Sequence, residues 1–75
     1  MLKVTQNWKY EAGEKVHKAM VGTIRLTAVR EVNGLFSGYA YGLEIGRVSI
    51  SQINNLEEAK SQLLAEVERA IERKK

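Results

Sequence analysis

The side chains able to do chemistry in this 75-residue chain are few, and their types narrow the options quickly. His17 is the one histidine, the nine carboxylates are all glutamates, and cysteine and aspartate are absent. No spacing among the glutamates would converge two carboxylates in a cleft, and nothing resembles a catalytic triad, a metal-ligand cluster or a phosphate loop. Gly38, Gly42 and Gly46 recur at intervals of four, but on expected strands rather than at the strand-to-helix turn that a nucleotide fingerprint requires. His17 reads as a surface strand residue. These features describe a non-enzymatic domain with no metal and no cofactor. What remains is cationic. Lys3, Lys9, Lys15, Arg25 and Arg47, joined by Asn7 and Thr27, are side chains that neutralise phosphate and add polar contacts in a groove.

The twelve Lys and Arg exceed the nine Glu by three, and the excess is not spread evenly. Up to Ser51 there are seven Lys/Arg against four Glu, whereas from Gln52 onward five face five. The whole formal surplus therefore belongs to the part of the chain that precedes the C-terminal segment.

That segment carries the clearest structural signal. Leu56, Ala59, Leu63, Leu64, Val67, Ala70 and Ile71 recur at intervals of three and four, which gathers them within an arc of roughly 140° on a helix. Asn55 is the expected N-cap with Glu58 three residues on. Glu57 and Glu58 oppose the positive end of the helix dipole, and Arg73, Lys74 and Lys75 complement the negative end. The expected helix is about 56–73. Lys60 alone interrupts its apolar arc, with a stem that lies on the core edge and an ammonium that reaches water.

Before the helix, the residue pattern predicts strands. Asn33-Gly34 suits a two-residue type I′ turn, which sets Val32 opposite Leu35, Arg30 opposite Ser37, Ala28 opposite Tyr39, Leu26 opposite Tyr41 and Ile24 opposite Leu43. On the reverse face Arg25, Thr27, Val29 and Glu31 then meet Gly42, Ala40, Gly38 and Phe36. Glu11-Ala12-Gly13 reads as a three-residue loop with Gly13 left-handed, pairing Trp8 with Val16 and Val4 with Met20. A tight turn near Ile45-Gly46 pairs Leu43 with Val48, Tyr41 with Ile50 and Glu44 with Arg47, unless a bulge or longer loop intervenes. The stretch from Lys15 to Val32 is expected to be one long strand bent at Gly22.

The resulting fold class is α+β: one domain over residues 1–75, with a four-stranded antiparallel meander at about 3–51 and a C-terminal amphipathic helix packed on one face. The face under the helix is expected to carry Val4, Trp8, Val16, Met20, Ile24, Leu26, Tyr39, Tyr41, Leu43, Val48 and Ile50. The open face is expected to carry the cations named above with Thr5, His17 and Thr23, and Phe36 as its only ring.

Two uses of that open face follow. As a basic surface it would bind nucleic acid. As a flat strip of Gly38, Ala40 and Gly42 beside Val21, Val29 and Phe36, it would let another backbone approach, giving a homodimer or an adaptor for a host protein, with an unpaired sheet edge as a further docking route. Lys, Arg and Thr are also ordinary on half-solvated strands. A core this small, without disulfides, favours a partner. The absence of cysteine and of any signal- or span-length apolar run leads to the expectation of a cytoplasmic protein with no membrane contact.

Trp8 in the first strand, the meander, and a helix opening Asn55-Leu56-Glu57-Glu58-Ala59-Lys60 together resemble short phage and prophage reading frames in which such a helix closes a small sheet. The outline is also similar to the sheet-plus-helix arm-binding domains of tyrosine recombinases. The latter resemblance implies reading of a DNA major groove by the sheet face.

Overall fold

The computed structural model describes residues 3–74, as a five-stranded antiparallel sheet with one helix on one face. The elements in order are β1 (Gln6–Glu11), β2 (Val16–Val21), β3 (Ile24–Arg30), β4 (Phe36–Gly42), β5 (Gly46–Ile53) and α1 (Leu56–Lys74). The sheet order is β1-β2-β3-β4-β5, so every strand pairs with its neighbour in sequence and β1 and β5 are the two edges. The α+β meander is as expected, with five strands rather than four.

The additional strand arises at Gly22-Thr23. Instead of bending, the chain reverses there, with Gly22 at φ +61° and Val21 paired with Ile24. This is the pattern of a two-residue hairpin turn with glycine at its first central position. Reversal pairs β2 with β3 along their whole length, and so gives their backbone groups ladder partners that one bent strand would leave unmet. The turn is also tied to the N-terminal segment. The Gly22 N–H donates to Thr5 Oγ1 at 2.9 Å, and the Thr5 N–H donates to the Met20 carbonyl at 2.7 Å.

At Asn33-Gly34 the loop holds one residue more than a type I′ turn. The Glu31 N–H donates to the Leu35 carbonyl at 2.7 Å and the Gly34 N–H to the Glu31 carbonyl at 3.0 Å. Gly34 alone is left-handed, at φ +86°. The result is a three-residue Val32-Asn33-Gly34 loop, a type I turn closed by a left-handed glycine. The register becomes Arg30 with Phe36, Ala28 with Gly38, Leu26 with Ala40 and Arg25 with Tyr41. Because side chains alternate between faces, this one-residue change inverts β4 relative to expectation. Gly38, Ala40 and Gly42 turn toward the helix, and Tyr39 and Tyr41 turn away from it.

The same inversion occurs at the other two loops. Lys15, at φ 57°, takes the left-handed position in place of Gly13, its N–H donates to the Glu11 carbonyl at 2.7 Å, and Glu11 pairs with Val16. Val16 and Met20 therefore lie on the open face with Val29 and Arg25. Between β4 and β5 the loop is Leu43-Glu44-Ile45, closed by the Ile45 N–H on the Gly42 carbonyl at 3.2 Å. Tyr41 pairs with Arg47, and Leu43 stands 94% exposed.

The small strip on β4 is what allows α1 to sit close. Ala59, Leu63 and Val67 are fully buried, and Leu63 and Val67 meet Leu26, Ile24 and Ala40 in the core. The isoleucines opposite the glycines lean over them. A methyl placed on Gly42 would lie 2.8 Å from Ile24 Cγ1, and one on Gly38 would lie 3.0 Å from Ile50 Cγ1 and 3.3 Å from Leu63 Cδ2. The helix makes its close approaches to β3, β4 and β5. Trp8 of β1 packs at the core margin, with the Lys60 ammonium 5.4 Å from its ring centre and 3.3 Å from Glu57. Among the described residues no helix is long and apolar enough to cross a membrane.

The expected cap is in place. The Glu58 N–H donates to Asn55 Oδ1 at 2.8 Å, and Asn55 Nδ2 donates back to Glu58 Oε2 at 3.3 Å. Removing a cap of this kind costs about 1 kcal/mol. Asn55→Ala is accordingly expected to lower the thermal midpoint by about 4–8 °C, and an unchanged melting curve would show that the bond contributes nothing.

Candidate nucleic-acid interface

The face away from the helix is built from alternate residues of all five strands, and the pairing aligns them in lateral rows. One row runs Gln6, Met20, Arg25, Tyr41, Arg47, and the next runs Lys9, Lys18, Thr27, Tyr39, Ser49. Tyr41 thus stands between two arginines on adjacent strands, while Tyr39 stands between a threonine and a serine. Cross-strand neighbours on one face have Cβ atoms about 4.5–5.5 Å apart, so Arg25 and Arg47 stand as the immediate neighbours of Tyr41 on either side.

Tyr39, Tyr41, Arg25, Arg47 and Ser49 are all exposed, and together with Thr27 they line a shallow depression of about 560 Å³. Among the described residues Arg25, Arg47 and Lys9 form no ion pair. Lys18 does, with Glu14 at 2.9 Å, but both groups are largely solvated and such pairs are worth about 0–1 kcal/mol. Two cations without an ion pair thus flank Tyr41, while Glu11 and Glu14 lie at the opposite corner of the face.

Of the cations expected on this face, Lys9, Arg25 and Arg47 are brought together there with Thr27, and Asn7 borders the adjoining depression beside Lys9. Lys3 precedes β1 and Lys15 lies in the β1–β2 loop, so neither belongs to the rows. His17 is on the helix side, its ring 4.9 Å from that of Tyr10. Thr23 is in a turn and Thr5 clamps one. Lys18 was assigned no role by sequence, although it is the β2 partner of both Lys9 and Thr27.

The strip expected to receive a partner is not open. Gly38, Ala40 and Gly42 are buried beneath the protein's own helix, and Phe36 shares their side of β4 opposite Ile53. Only Val29 of that patch faces outward, beside Val16 and Ser37. The tyrosines took the place of the strip, and the sequence signal that could have revealed them was the Gly38-x-Ala40-x-Gly42 alternation itself. Three very small residues in a row fit under a helix better than two tyrosines do.

No protein-family model, no curated protein and no solved structure matches the chain.

Proposed function

We propose that this domain is a non-enzymatic nucleic-acid-binding module that contacts phosphate through the open face of its sheet. The observation that supports this most directly is the row Arg25, Tyr41, Arg47: two unpaired guanidinium groups flank an exposed ring on a surface bearing Lys9 and Lys18. A half-solvated strand needs soluble side chains, and lysine and threonine suffice for that. It does not need large rings in the centre of the face, whose exposure leaves apolar area in water. Arginine adds planar, forked donors suited to phosphate and able to stack on rings. A cytoplasmic location, the expectation from composition, accompanies this reading.

The test is fluorescence anisotropy with a labelled mixed-sequence oligonucleotide at two salt concentrations. If the four cations on the two rows each displace a counterion, affinity should fall roughly 50- to 150-fold between about 50 and 200 mM salt. The Arg25→Ala, Arg47→Ala double variant should lose at least tenfold in affinity at low salt and make the logarithmic salt slope shallower by roughly 1.5. Both residues are solvent-exposed, so the fold should survive, which circular dichroism checks. Retention unchanged in the double variant would remove the proposal.

A further inference from the structure

Resting on that reading, we infer that the ligand is an unpaired strand, held by stacking consecutive bases on Tyr41 and Tyr39. The two rings belong to one strand at positions i and i+2, on the same face, 52% and 47% exposed. Strand geometry places such residues about 6.6–6.8 Å apart. Bases in a duplex follow one another at about 3.4 Å along each strand with their faces covered by their neighbours. A duplex therefore offers neither the spacing nor a free base face to two rings set this way. An unpaired strand can spread its bases to twice the duplex step and present each face in turn.

The surroundings fit the same ligand. Thr27 and Ser49 flank Tyr39 with short side chains that leave its ring faces clear, while Arg25 and Arg47 beside Tyr41 place cations where the phosphates joining two stacked bases would pass. The depression over these residues has no roof. It suits an extended chain laid across the sheet rather than a small molecule that must be enclosed. Antiparallel sheets that present aromatic rings are a recurrent way of holding single-stranded nucleic acid, and the stacking is tolerant of base identity.

The experiment compares a mixed-sequence twelve-nucleotide DNA strand, its RNA counterpart and the corresponding DNA duplex, for the wild type, Tyr39→Ala with Tyr41→Ala, Tyr39→Phe with Tyr41→Phe, and Arg25→Ala with Arg47→Ala. At least one single strand should bind tenfold or more tightly than the duplex, and which one identifies the sugar. The alanine pair should weaken single-strand binding by roughly tenfold or more per ring, with duplex binding unchanged. The phenylalanine pair, which keeps the stacking surface, should bind as the wild type does. Equal affinity for strand and duplex, with the alanine pair indifferent, overturns the stacking inference and leaves the basic face standing if the arginine pair still loses binding. If the wild type retains none of the three ligands, the underlying reading falls with it.

Discussion

Gly38→Val is expected to destabilise the protein by about 1–3 kcal/mol, the usual cost of overpacking a filled core. The new Cβ alone would sit 3.0 Å from Ile50 Cγ1, 3.2 Å from Ile50 Cδ1 and 3.3 Å from Leu63 Cδ2, and valine adds two methyl groups beyond it. Ile50 is held on β5 and Leu63 is fully buried, so relief requires the helix or an edge strand to move. A domain of this size has about 4–11 kcal/mol of total stability, which makes the loss large in proportion. Ser49→Val, on the exposed face beside Tyr39, should stay within about 0.5 kcal/mol. Urea titration followed by circular dichroism distinguishes the pair. If Ser49→Val moved the midpoint and Gly38→Val did not, β4 and β5 would have to present the opposite faces.

Leu63→Ala is expected to be the more damaging change. Leu63 is completely buried at the centre of the helix face, next to Gly38 and within the cluster formed by Leu26, Ala40 and Val67. Truncating such a leucine costs about 3 kcal/mol or more, from lost transfer energy plus the cavity left behind. The cavity could close only if α1 sank toward the sheet, and Ile50 already occupies the space over Gly38. Leu43→Ala supplies the contrast, because its side chain stands in water at the β4–β5 loop and its removal should be nearly neutral. Equal losses in the two variants would mean that the helix is not seated over Gly38.

The contrast between these leucines reflects what was legible in the sequence. The helix was read to within a residue of its ends, with its cap, its buried face and the position of Lys60. Those signals are local, and a period of 3.6 does not depend on how distant segments align. The strands were located as well, except that Gly22-Thr23 closes a hairpin. The faces were not. A sheet face is decided by parity, and parity by loop length, so one extra residue at Asn33 exchanged Tyr39 and Tyr41 for Gly38, Ala40 and Gly42. The physical reason lies in the side chain of Asn33. Its Oδ1 accepts the Leu35 N–H at 3.0 Å, a local bond that favours the three-residue loop and leaves positive φ to Gly34 alone. The candidate site was consequently half visible. Lys9, Arg25, Thr27 and Arg47 follow from charge and alternation, whereas the register of a two-residue turn at Asn33-Gly34 puts both rings in the core. The Gln52 irregularity, at φ 58°, could not be foreseen from residue type. It lets β5 shift register and bring Ile53 opposite Phe36, where it is buried.

The helix backbone lies close over only three of the five strands, and the open face is backed unevenly as a result. Behind Arg25, Tyr39, Tyr41 and Arg47 the sheet is backed by α1, so the backbone that carries these side chains is held in place by the core beneath it. Behind Lys9 and Lys18 the helix backbone stands farther off, and the sheet is covered there by Trp8 and Ala19 at the margin of the core. β1 is an edge strand whose pairing with β2 is interrupted between Gln6 and Lys9, and its ladder opens to solvent more readily than that of β3 with β4. The open face is thus firmest around Tyr41 and least restrained along β1.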